Sequence, residues 1–371
     1  MVLNAIQKVI NFTTNFCRKR IKKIKEDWEE VKKRYKAWWA NELYDRVLVQ
    51  ATAPRDKVKP IPVEPSSPKV KWTDINYMIR KNLEGIRTTY YGGESLPLFS
   101  HNWSCGHELL LGCQPKFSWD TVWVDPVATV TEHPELSFSR KNPWWKWMCH
   151  STEAAAQASK GRYFIVPTWG NCAGDILASL RGTEQLLMDL ELNPGWVRSA
   201  VKTVSDILIE IWEELWQIIS PKVTGMEGSI NDCGCWSPGK TLTLDCDFSY
   251  MISPKAFQNL FLPSLIEMMH TVDHRIYHLD GASQHLDTLL DIPELQAIEW
   301  VPGVGHEEIM QWVPLIKRVQ SKGKSIQVFA KPEEIKPLLQ EIQPEGLCVS
   351  THCETEKDTR ELLKSVARLS G

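Results

Sequence analysis

Apolar residues recur along this chain with two different periods, and the periods take turns. Short runs rich in β-branched or aromatic residues, bounded by proline, glycine or polar clusters, predict strands at 46–54, 96–99, 163–167, 223–230, 242–244, 275–281, 297–301, 326–330 and 346–350. Between them, apolar residues at helical spacing predict helices over 1–45, 176–180, 182–192, 194–220, 254–269 and 357–369. Strands that alternate with helices argue for a parallel sheet covered by helices, and roughly eight such units argue for a closed (β/α)8 TIM barrel. The expected organisation is therefore an N-terminal helical extension over 1–45 followed by one α/β barrel over 46–371.

In a barrel of this kind chemistry belongs at the C-terminal ends of the strands. The run Arg275-Ile276-Tyr277-His278-Leu279-Asp280-Gly281 is the clearest place to look. Residues two apart on a strand share a face, so His278 and Asp280 project together while Leu279 packs the other way. Their plain alternative is to cap a strand and the turn at Gly281. Arg55 and Asp56 follow the first strand, Asp232, Cys233 and Cys235 follow another, and Glu227 sits inside an apolar segment as either a mouth carboxylate or half of an ion pair. His101, Cys105 and His107 lie close together without zinc-site spacing and read first as pocket wall or core, with metal binding the lesser alternative.

Composition narrows the classes. With 43 Lys+Arg against 46 Asp+Glu the net charge is −3, and the basic residues cluster only at 18–23, where Glu26, Asp27, Glu29 and Glu30 offer partners on a helix. Nucleic acid is not indicated as a partner. Ten cysteines without a secretory pattern, and no apolar run long enough to span a bilayer, predict a cytoplasmic protein with free thiols. Seventeen tryptophans, among them Trp38, Trp39, Trp144, Trp145, Trp147, Trp169 and Trp300, predict thick aromatic packing or a partly aromatic cavity.

The segments Asp247-Phe248-Ser249, Ser253-Pro254, Phe257, Tyr277-His278-Leu279-Asp280-Gly281, Ile298-Glu299-Trp300-Val301-Pro302-Gly303 and Cys348-Val349-Ser350-Thr351-His352-Cys353 resemble the uroporphyrinogen decarboxylase superfamily. The likeness is carried by the C-terminal third. It implies a TIM barrel and two candidate chemistries. One branch decarboxylates tetrapyrrole acetates with an Arg-rich loop after the first strand; here the nearest stretch is Ala53-Pro54-Arg55-Asp56-Lys57, which argues against uroporphyrinogen as substrate. The other branch is similar to cobalamin-dependent methyltransferases, which hold zinc with a His-x-Cys pair and a distant cysteine.

On that second resemblance His278, Asp280 and Cys353 become the metal ligands, with Asp280 in place of the first cysteine. The expectation is a methyltransferase in which zinc activates a small-molecule acceptor and a corrinoid, borne by a carrier protein, donates the methyl group. Asp280, His278 and Glu227 are the expected catalytic residues, and Arg55, Trp169, Asp232, Trp300 and His352 the expected substrate contacts. The alternatives are a metal-free decarboxylase of a carboxylate substrate, in which Arg55 or Arg87 holds carboxylates and Asp280 with His278 or His352 moves protons, and a barrel that binds ligand without catalysis.

Overall fold

The computed structural model describes residue 25 and residues 27–127, 132–166 and 172–370 of the chain. Its strands are β1 (Leu48–Pro54), β2 (Thr89–Gly93), β3 (Leu98–Phe99), β4 (Pro115–Phe117), β5 (Val122–Val124), β6 (Phe164–Ile165), β7 (Ser229–Ile230), β8 (Trp236–Ser237), β9 (Thr241–Leu244), β10 (His274–Asp280), β11 (Ala297–Val301), β12 (Ser325–Phe329) and β13 (Leu347–His352). The main sheet has the order β2-β1-β13-β12-β11-β10-β9. From β1 to β9 neighbouring strands are parallel, and β2 joins the outer edge of β1 antiparallel. A separate parallel pair, β3 with β6, and two hairpins, β4–β5 and β7–β8, make up the rest. The expected closed barrel is thus seen as a mixed α/β architecture around a mostly parallel sheet, and the strand hydrogen bonding does not close into a ring among the described residues.

Strand alternation sorts side chains into two layers. Tyr277 and Leu279 of β10, Ile298 and Trp300 of β11, Ile326 and Val328 of β12, and Leu347 and Val349 of β13 face the covering helices and belong to the large core. Each is at most 1 % exposed, and burying a large apolar side chain stabilises by about 1.5–3 kcal/mol. The opposite parity, Leu48, Ile276, Ala297 and Cys348, faces a second core built around helix α1 (Trp28–Trp39). Because Leu48 and Ala297 open their strands, α1 with Trp28, Tyr35 and Trp38 covers the N-terminal ends of the sheet. That is the end away from the expected site. Residues 1–24, including the basic run at 18–23, lie outside the described residues.

Two predicted elements differ. The helix expected over 254–269 is two helices, Pro254–Leu260 and Leu262–Met269. Pro263 removes a backbone donor and restricts the residue before it, so the chain breaks at Phe261. The strand expected over 223–230 is only Ser229–Ile230, preceded by a helical turn at Pro221–Thr224. Gly225 and Gly228 have φ of 69° and 80°, and a Cβ on Gly228 would meet Ser237 O at 2.2 Å. Left-handed glycines bend the chain where an extended strand was expected.

Candidate active site

His278 faces the inside of the sheet near the C-terminal end of β10, as its two-residue spacing from Asp280 requires. Directly beside it on β11 is Glu299, its registered partner. The two side chains form a short hydrogen-bonded ion pair between His278 Nδ1 and Glu299 Oε2. Burial opposes the charged ring, but the Glu299 hydrogen bond and charge, with help from Asp247 and Asp232, hold His278 up at about 9. The imidazole is therefore protonated at neutral pH unless something else takes its place at the ring.

Three ligand-type groups converge here. His278, Asp247 and Asp280 each place a donor atom within 4.8 Å of the others. Asp280 ends β10 at the turn that Gly281 makes with φ of 62°, and Asp247 opens the loop after β9. Burial raises the Asp247 pKa first, His278 opposes this and Asp280 adds to it. Neither Asp247 nor Glu299 was foreseen as a site residue. An acid inside the apolar run Ala297-Ile298-Glu299-Trp300, at the parity opposite the core residues, is the signal that could have found Glu299.

Around this group the polar side chains form a connected floor. Cys233 Sγ lies 3.1 Å from Glu299 Oε2 and 3.2 Å from Thr243 Oγ1. Gln327 donates to Gln50 Oε1 at 3.1 Å and to Ser350 Oγ at 2.9 Å, and accepts from Cys235 Sγ at 3.1 Å. Above it opens a cavity of about 590 Å³ lined by Asp232, Cys233, Glu299, Glu307, Lys331, Glu334 and His352, among others. A second cavity of about 400 Å³ is bordered by Glu108, Asp175, Asp245 and Asp247. The His278 group stands between the two, joined to the first through Glu299 and to the second through Asp247.

The expected residues divide accordingly. Asp232 lines the larger cavity, its pKa raised chiefly by burial. His352 also lines it, with Nδ1 3.0 Å from Thr52 Oγ1. Cys353 does not join His278 and Asp280. It follows His352 by one residue, so it faces the helices, where it is 1 % exposed and hydrogen-bonds with Thr359. Trp300 is likewise on the helix side, with its ring 4.7 Å from that of Trp312, and is a core residue rather than a substrate contact.

Glu227 is placed at the other end of the molecule, where Lys32 of α1 binds its carboxylate at 2.8 Å. There its carboxylate is half exposed and lies apart from the His278 group. Arg55 donates to Thr89 O and borders a separate cavity with Lys25, Arg46 and Arg360, because β1 carries it past the edge strand rather than over the mouth. Arg87 pairs with Glu84 on the surface. Trp169 lies outside the described residues. His101 and His107 are buried, and burial lowers both to about 4, which makes them neutral core histidines. Cys105, Cys113, Cys149, Cys172, Cys233, Cys235, Cys246, Cys348 and Cys353 are free thiols. No helix among the described residues is long and apolar enough to cross a membrane.

No protein-family model matches the sequence, and no curated protein matches it. Among solved structures the chain is similar to a methyltransferase from Methanosarcina mazei, with a TM-score of 0.59 and 11 % identity over 91 % of this chain and 98 % of that one. At that identity the likeness is one of fold.

Proposed function

We propose that this chain is a metal-dependent methyltransferase on a closed barrel of the uroporphyrinogen decarboxylase type, with β3, β6 and β7 filling the gap between β9 and the β1–β2 edge. The reading is supported by the fold likeness and carried by one observation: a histidine held by a buried carboxylate, beside two further carboxylates, at the C-terminal end of a parallel strand. Histidines that bind metal commonly give their second nitrogen to a carboxylate, which fixes the ring and makes it a better donor. Glu299 does this at Nδ1 and leaves Nε2 for the ligand role. His278, Asp247 and Asp280 are the proposed ligands, a nitrogen and oxygen set that suits zinc.

Bound there, zinc would act as a Lewis acid that lowers the pKa of a thiol or hydroxyl acceptor. The other roles belong to the chain. Glu299 orients His278, Cys233 and Thr243 hold the floor, and the larger cavity admits a small acceptor. The methyl donor, a corrinoid, would be presented at the open mouth of that cavity by a carrier protein. The lining of that cavity bears on substrate charge. Among its described lining residues Asp232, Glu299, Glu307 and Glu334 stand against Lys331 as the one Lys or Arg, an environment that repels a polycarboxylate such as a tetrapyrrole acetate.

A second reading, a metal-free carboxy-lyase, draws on the proton that His278 retains up to about 9, since an imidazolium can protonate a carbanion as carbon dioxide leaves. One experiment separates the two. Protein purified without chelator should hold one equivalent more zinc than His278→Ala or Asp280→Asn, and should transfer a methyl group from methylcobalamin to a small thiol only when wild type. Zinc content unchanged by either variant, even after zinc is offered, would overturn the metal-dependent reading.

A further inference from the structure

On the helix side of β10, behind the proposed catalytic group, two cysteines and an aspartate meet. Cys172 caps the helix Ala173–Arg181, its sulfur accepting from Gly174 N at 3.2 Å. Asp175, one turn along, brings Oδ2 to 3.3 Å from the same sulfur. Cys246 comes from the end of β9, and its sulfur is admitted because residue 174 is glycine: a Cβ there would lie 2.8 Å from Cys246 Sγ. Donor atoms of all three residues lie within 4.8 Å of one another. Ligands about 2.3 Å from a tetrahedral zinc are spaced about 3.8 Å apart, so small side-chain shifts would close the set.

A second, independent feature points at the same spot. Tyr277, 1 % exposed, has no hydrogen-bond partner for its hydroxyl among the described residues. The groups that act on that hydroxyl electrostatically are Cys246, Cys172, Asp245 and Asp175. A buried phenol left without a partner is costly unless a ligand or water completes it. Charge leads the same way. Asp245 is buried and takes Cys172 N at 2.9 Å, and Asp175 takes Phe248 N at 2.7 Å. Among the described residues neither has a salt bridge to Lys, Arg or His. The 400 Å³ cavity they border with Asp247 has no basic residue in its described lining, and gives an ion a route in.

We propose that Cys172, Asp175 and Cys246 form a second metal site, for a zinc-class divalent cation, in which Tyr277 hydrogen-bonds the ligand at the remaining position. Binding releases the thiol protons and supplies the counter-charge that the buried carboxylates lack. The Cys246 ligand adjoins Asp247 in sequence, so the ion would also brace the loop that carries a proposed catalytic ligand. The site does not depend on methyl transfer at the mouth.

The test uses cobalt(II) titrated into reduced, metal-free full-length protein. Sulfur ligands produce a near-ultraviolet charge-transfer band that a nitrogen and oxygen site such as His278/Asp247/Asp280 does not. The band should grow to one equivalent in wild type, disappear in Cys172→Ser and Cys246→Ser, and persist in His278→Ala. Tyr277→Phe should keep the band with weaker affinity. In unmodified protein under mild denaturant that lets reagent reach buried thiols, zinc should also slow alkylation of Cys172 and Cys246 but not that of the equally buried Cys348, a measurement that does not rely on the cysteine variants folding. Cobalt bound without a sulfur band, a band that survives both serine variants, or equal alkylation with and without zinc would each overturn the proposal.

Discussion

The two ends of the sheet handle buried charge in opposite ways. At the N-terminal end Glu94 is fully buried, yet its carboxylate takes Arg46 at 2.8 and 2.9 Å, Arg34 at 3.0 Å and Val49 N at 2.9 Å. Arg34 in turn is matched by Asp45 at 2.7 Å. Glu94, Arg46, Arg34 and Asp45 thus neutralise one another within the chain, and the surroundings are tryptophan and tyrosine. At the C-terminal end the buried Asp245 and Glu299 stand near Asp232 and the more exposed Asp247, and His278 is the cation paired with Glu299. Low dielectric penalises both arrangements, but only the first is neutralised by its own residues. The metal ions proposed above would supply the positive charge that this end lacks.

The sharpest way to break this comparison is at the satisfied end. Glu94→Ala leaves Arg46 buried without its anion and Arg34 with Asp45 alone, and should cost about 3–5 kcal/mol in chemical denaturation, while the folded fraction keeps its full zinc content. A comparable loss of zinc would mean that the two ends are coupled rather than divided into scaffold and site. Next in size is Glu299→Gln, which keeps the shape but weakens the hold on His278. It should lower metal affinity about 10–100-fold in competition with a chelator, with the melting temperature changed far less than by Glu94→Ala.

A pH series sharpens the same point. Because the folded pKa of His278 lies at about 9, above the ordinary value near 6.5, the His278–Glu299 pair stabilises the metal-free protein fully below about 6.5. That contribution is lost as pH rises through about 9. Denaturation of the metal-free protein should follow this trend, and Glu299→Gln should flatten it. Metal affinity should rise over the same window, since the ion no longer competes with a proton. The smallest effect is expected at Glu227→Gln. Its pairing with Lys32 is half exposed, so the change should cost less than about 1 kcal/mol and leave turnover and zinc content as they were.

What the sequence revealed, and what it withheld, follows from what is local. The alternation of strands and helices is written in short apolar runs, and most strands of the main sheet fall within a residue or two of their expected places. The two-residue period put His278 and Asp280 on one face correctly. The same period, applied to β11 and β13, places Trp300 and Cys353 on the helix side; the family likeness drew them toward the site against their own parity. Glu299, Asp247 and Asp175 were missed because they meet His278 or one another across strands and loops, through registers such as His278 opposite Glu299 that a linear reading does not contain. β2 escaped notice because Tyr90-Tyr91-Gly92-Gly93 carries neither a proline stop nor an alternating pattern.

The register of β1 has a consequence for how the chain reaches this state. Leu48 pairs with Cys348, Val47 N is bonded by Ser370 Oγ, and Trp38 O takes the Ser325 hydroxyl. β1 therefore waits for a strand some three hundred residues further along the chain. Until β13 has been made, β1 exposes an edge that only β13 covers, and such slow, long-range closure leaves time for wrong pairings. Deletion of β13 and the helix that follows it should yield a chain that aggregates during expression rather than a smaller stable domain.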